Sequence, residues 1–197
     1  MNRASRQALL LQALGSGQEL TNLVVLRATQ KLLKRLPLSD DGRVASDTAL
    51  GDWYVNRVVV DRKPLLLFVS SASLLVMISP ARDVRMLPTR FANMVAARLR
   101  RLEIDERWLE PELVAMSSVG VGRTRDRSVT GTMVDFAKTL PYYLPADGWG
   151  ATDLLIAEDR FAETPCLCGR AGRNTIWPRR RAVRLLAEQS QSFRSLH

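Results

Sequence analysis

At 197 residues and 22.1 kDa, with 46% hydrophobic and 25% charged side chains, the chain has the size and composition of one globular domain that buries its own core. Two cysteines and a single histidine, the terminal His197, argue against a disulfide framework and leave a catalytic triad or a histidine-bound zinc enzyme without its imidazole. The 29 Lys and Arg against 20 Asp and Glu leave a formal +9 and a pI of about 10.5, which points to a phosphate-bearing or otherwise acidic partner.

Residues 1–21 read as a short amphipathic helix followed by the breaker Gly15-Ser16-Gly17, an N-terminal extension outside the domain. Its apolar Ala8–Leu11 stretch is broken by Gln12, unlike a signal peptide. A single domain is expected over 22–190, with 191–197 as a C-terminal tail. Leu23–Leu26 reads as a compact apolar strand, and Thr29 is placed to cap a short helix through Lys31–Lys34 that Pro37 ends. Trp53–Val60, Leu65–Val69 and Leu74–Ile78 are strand-forming runs separated by Asp61–Pro64 and Ser70–Ser73, which predicts an antiparallel meander of about three strands. Pro88–Thr89 opens a helix with Phe91, Met94, Val95, Leu99 and Leu102 on one face. Glu106–Met116 is helical and acidic, with Pro111 predicting a break or kink. Ser117–Arg123 returns as a strand. Ser128 then caps a helix with a Val129, Met133, Phe136, Ala137 and Leu140 stripe that Pro141 and Pro145 close, and two further helices follow near Thr152–Phe161 and Pro178–Glu188. The expected fold class is α+β: the meander, one or two further strands, and several packed helices. No run of about 18 apolar residues predicts a membrane span, and the cytoplasm is the expected compartment.

Residues 1–100 hold +8 of the net charge, and 25 of the 29 cations are arginines. The densest candidate site is Gly122–Ser128. If the strand continues to residue 127, alternation points Arg123, Arg125 and Arg127 the same way, at the N-terminus of a helix opened by Ser128. Free backbone N–H groups, the helix dipole and guanidinium forks together suit phosphate or carboxylate. On the alternative reading, Arg125 and Arg127 pair with Asp126, Asp135 or the acidic 103–112 segment at the surface. A second candidate is the groove of Asp52, Trp53, Tyr54, Asn56 and Arg57, where one aromatic packs while aromatics beside Arg and Asn stack bases and grip phosphates. The bland reading makes Trp53 core and Asp52 a turn residue. Arg98 falls inside the apolar helix stripe, so it either snorkels to solvent or needs Asp52, Asp83 or Asp135 as a buried partner.

Cys166-Leu167-Cys168-Gly169 lacks the second ligand pair that structural zinc requires, and Gly120-x-Gly122 is followed by Arg125 where a dinucleotide fingerprint needs glycine. No metal or cofactor is expected. Thr29-x-Lys31-Leu32-Leu33-Lys34, Leu50-Gly51-Asp52-Trp53-Tyr54-x-Asn56, Leu65-x-Leu67-Phe68-Val69, Ser128-Val129-x-Gly131-x-Met133-x-Asp135-Phe136-Ala137 and Glu163-Thr164-Pro165-Cys166 together resemble an uncharacterised bacterial family known only as a domain of unknown function. The resemblance spans roughly residues 23–187. It implies one domain, with residues 1–21 outside it, and no activity.

The residues point first to a non-enzymatic domain that binds nucleic acid or another polyanion at Arg123, Arg125, Arg127 and the 52–57 strand. One alternative is a histidine-independent enzyme on a phosphorylated or nucleotide substrate, with Asp52 or Asp135 as base. Another is a protein-interaction module, such as a toxin–antitoxin component, whose arginines meet an acidic protein. The sequence assigns no oligomeric state.

Overall fold

Runs of β-branched and aromatic residues, punctuated by turn residues, fold the middle of the chain into a sheet. The computed structural model describes residues 22–39, 44–168 and 174–195; the expected extension over 1–21 lies outside them. Five strands, β1 (Leu23–Ala28), β2 (Trp53–Val60), β3 (Lys63–Ser70), β4 (Val76–Pro80) and β5 (Ser118–Arg123), lie in the order β4-β3-β2-β1-β5. The β2–β3–β4 meander is antiparallel as expected. β1 runs parallel to both β2 and β5, so the sheet is mixed. β1 stops opposite Val55, whereas β2 pairs with β3 as far as Val60, so the β2–β3 hairpin projects beyond the ends of β1 and β5 as a shelf. A second hairpin, β6 (Cys166–Cys168) with β7 (Asn174–Ile176), has strands too short for alternation to reveal.

The helices are α1 (Gln30–Leu33), α2 (Leu87–Arg101), α3 (Glu106–Ala115), α4 (Arg127–Tyr143), α5 (Ala151–Ala162) and α6 (Pro178–Ser195). Several ends differ from expectation. The Thr29 hydroxyl makes no capping bond and donates instead to Asn56 Oδ1 at 3.0 Å. Asp126, not Ser128, caps α4, accepting from the N–H groups of Ser128 and Val129. Pro111 sits inside an unbroken α3, and Pro141 inside the last turn of α4.

Alternation along the strands divides the core in two. On one face Leu26, Trp53, Val55 and Phe68 pack against Phe91, Val95 and Leu99 of α2 and Leu186 of α6. Trp53 meets Phe91 edge to face, ring centroids 5.7 Å apart. On the other, Tyr54, Leu65, Leu67 and Val69 pack against Met133, Phe136 and Leu140 of α4 and Leu154 and Phe161 of α5.

Both outer edges of the sheet carry hydrogen bonds to other parts of the chain, which disfavours strand addition there. On β5, Val121 exchanges hydrogen bonds with Ser39. On β4, the Ile78 N–H donates to Glu158 Oε1 at 2.6 Å, and the Val76 carbonyl accepts from Arg98 Nε at 3.2 Å. Arg98 therefore neither snorkels nor meets Asp52, Asp83 or Asp135. It is 2% exposed and paired with Glu158 and Asp159 of α5. Burial pushes the Arg98 guanidinium below its usual range and the Glu158 carboxyl above its own, against the attraction between them. Desolvation outweighs pairing here, and the cluster serves to close the sheet edge.

Candidate functional site

The apolar run of β1 carries one cation. Arg27 points away from Leu26 and Ala28, and its ladder neighbour on β5 is Gly122, with Gly120 beside Val25. Those two residues contribute no side chains, and the guanidinium is buried beside them at 1% exposure. Arg27 Nε donates to Asp52 Oδ2 at 2.7 Å, and Nη2 donates to the Val44 carbonyl at 2.7 Å.

Asp52 reaches this position through a turn that favours glycine. Gly51 has φ +72°, and a Cβ there would lie 2.5 Å from Ser71 Oγ. Asp52 is 5% exposed. Its Oδ1 accepts from the Ser46 N–H at 3.0 Å and the Ser46 hydroxyl at 2.7 Å, while Oδ2 accepts from Arg27 and, at 3.1 Å, from Arg125 Nη2. Four donors occupy the carboxylate's lone-pair sites.

The expected row of arginines does not form. β5 ends at Arg123, and Arg125 turns back onto Asp52 while remaining 48% exposed. The next N–H, of Asp126, donates to the Tyr54 hydroxyl at 2.9 Å. The N–H groups expected to receive an outside anion at the start of α4 are taken by Asp126 itself. What remains toward solvent is Arg123, Arg127 and Ser128, all exposed; Arg123, level with Ala28 and two residues after Val121, lies on the opposite sheet face from the Asp52–Arg125 pair.

The structure thus brings Asp52, Tyr54 and Arg125 together and leaves Arg123, Arg127 and Ser128 exposed on the chain either side of Arg125. It does not bring in the others. Trp53 lies in the opposite core, Arg57 is exposed on that same opposite face, and Arg98 closes the β4 edge. Asn56 accepts from Thr29, and Asp135 stands exposed on α4. Tyr54, expected to face a groove, is 1% exposed because α4 covers it. The arginines at 179–181 are engaged with their own chain: Arg179 with Glu163, Arg180 over the Trp177 ring, and Arg181 with the Ala72 carbonyl.

Sequence reading missed Arg27, Ser46 and Glu112. Glu112, fully buried on α3, accepts from the N–H groups of Ala49 at 2.7 Å and Leu50 at 3.2 Å, bracing the turn that delivers Asp52. Burial pushes its carboxyl up to about 7, against the pull of those two N–H groups and of Gln189. Two surface grooves of about 540 Å³ lie elsewhere, one between α2 and α3 and one between the end of α1 and the segment after β4. Among the described residues no group of three or more His, Cys, Asp or Glu could hold a metal ion, and no helix is long and apolar enough to cross a membrane.

A family model described as Domain of unknown function (DUF6933) matches residues 25–181. The chain belongs to this family. The matched span begins within β1 and ends in α6, so the sheet, apart from the first two residues of β1, and the Arg27–Asp52–Arg125 cluster fall within the DUF6933 domain. No curated protein and no solved structure matches the chain.

Proposed function

We propose that the chain is a basic, non-enzymatic domain that binds nucleic acid or another polyanion at the end of the sheet where β1 and β5 stop. The carrying observation is that Arg123 and Arg127 are exposed and join none of the ion pairs among the described residues, while Arg125 between them is anchored on buried Asp52. Two cations on a rigid support lose little freedom on meeting a phosphate. The enzyme reading fares worse on geometry. A general base needs a lone pair for the substrate proton, and the four donors on Asp52 leave none. The low cysteine count fits work in a reducing compartment such as the cytoplasm.

Filter binding to a nucleic acid across a salt series tests this. Affinity should fall as salt rises, and the double substitution R123A/R127A should flatten the log–log slope by about 1.8, two contacts at about 0.9 each. Affinity that is indifferent to salt, or untouched by the double substitution, overturns the proposal. Co-purification of a stoichiometric acidic protein from the native host would favour the interaction-module reading instead.

A further inference from the structure

The second groove, between the end of α1 and the segment after β4, is lined by Lys34, Arg35, Asp83, Val84 and Arg85 together with Ala81 and Met86. Three cations face one carboxylate there, and Lys34, Arg35 and Arg85 join none of the ion pairs among the described residues. Topology puts this groove at the same end of the sheet as Arg123. Two antiparallel reversals make β4 run parallel to β2, and β2 is parallel to β1 and β5, so the segments leaving β1, β4 and β5 emerge together. Exposed Arg57 lies on the projecting part of β2, on the sheet face against which Leu32 of α1 and Val84 pack.

We infer that the ligand is duplex nucleic acid, gripped through its phosphate rows, and that the Lys34–Arg35–Arg85 groove forms the second half of the interface begun by Arg123 and Arg127. This rests on the polyanion reading and narrows it. Single strands are held largely by stacking their bases on aromatic rings. Among the described residues no aromatic side chain lines the groove, and Trp53 and Tyr54, the aromatics of the 52–57 candidate, are 0% and 1% exposed. A duplex hides its bases and presents a fixed array of phosphates, which point cations can track without reading sequence. The reach also fits: four strand spacings of about 4.8 Å separate β5 from β4, about 19 Å in all, enough to bracket a major groove about 12 Å wide.

The test compares the full chain with the variants K34A/R35A/R85A and R123A/R127A, both confined to exposed side chains and checked for unchanged circular dichroism. Fluorescence anisotropy uses a 20-base-pair DNA duplex of arbitrary sequence, a single strand of the same length, and inorganic polyphosphate as competitor. The expected result is duplex affinity at least tenfold above single-strand affinity. The groove variant should lose tenfold or more on the duplex, with a salt slope reduced by about 2.7. Duplex affinity unchanged in the groove variant, while R123A/R127A still loses, removes the groove from the interface and leaves the polyanion reading standing. Single-strand affinity equal to that for duplex, or polyphosphate competing phosphate for phosphate as well as duplex does, overturns the duplex assignment alone. No binding to any of the three probes overturns both.

Discussion

Arg27 is a long cation laid down in the interior of a sheet, and Asp52 is the carboxylate that makes this tolerable. Removing a buried charge's partner leaves the desolvation cost and takes away the compensation. Asp52→Ala should therefore lose about 3–5 kcal/mol of unfolding free energy in urea titration. Arg125→Ala, on the half-exposed side of the same carboxylate, should lose about 1 kcal/mol or less. Equal losses in the two variants would show that Arg27 does not depend on Asp52. Asp52 and Arg125 stand out in the sequence because each sits among turn residues and charges. Arg27 does not: the apolar run ends visually at Leu26, and a following arginine looks like a strand end. Alternation carried one step further places it with Val25, opposite Leu26, but its partner lies 25 residues on and no local pattern announces it.

At the scale of elements, three pieces meet under the sheet. The 48–52 turn and the β3–β4 turn interlock, with the Ser70 hydroxyl and the Ala72 N–H donating to the Leu50 carbonyl and the Ser71 N–H to that of Asp52. Glu112 of α3 then ties the first turn to the helical layer. Burial holds its carboxyl up at about 7 in the folded chain, against an ordinary 4.5. Between those values the native chain keeps a proton that the unfolded chain has released. The resulting stability is present in full below the unfolded value and is lost as pH rises through the folded one. Glu112→Gln should abolish this part of the pH dependence. Measured by urea unfolding at pH 4.5 and 7.5, the wild type should lose up to about 3 kcal/mol relative to the variant over that interval. Parallel pH profiles would contradict it. The signal for Glu112 was present, three residues after Leu109 and four before Met116 on the apolar stripe, but a lone glutamate on an acidic helix reads as surface. The helices themselves were legible because their stripes are local, as were the meander strands, which local turns join.

At the scale of the molecule, the sheet order was not legible. An apolar run says that β1 is buried on both faces; it does not say which strands lie beside it. β1 and β5 are neighbours, yet Leu23 pairs with Ser118, across nearly half the chain. That parallel placement is what assembles the cations of separate segments at one end, and the net +9 makes the assembly consequential. A ligand that binds only the folded state stabilises it by mass action, about 2.7 kcal/mol at a hundredfold excess over Kd. Thermal melting with such an excess of DNA duplex should therefore raise Tm by about 5 °C or more, and 0.5 M salt, on the order of full screening, should abolish the rise. A rise that persists in high salt would indicate contacts other than phosphate pairing.

The parallel pairing of β1 with β5 also sets an order of events during synthesis. β1 is made before β5, and all six of its residues are buried in the finished sheet, but the strand that covers one of its sides is not complete until Arg123. Until then the nascent chain holds Leu-Val-Val-Leu with one flank unpaired, beside hairpins that can close on their own. A chain ending before Ser118 keeps that flank permanently open, an apolar strand edge of the kind that seeds aggregation. Loss of the C-terminal half therefore yields a sticky remnant instead of a smaller domain.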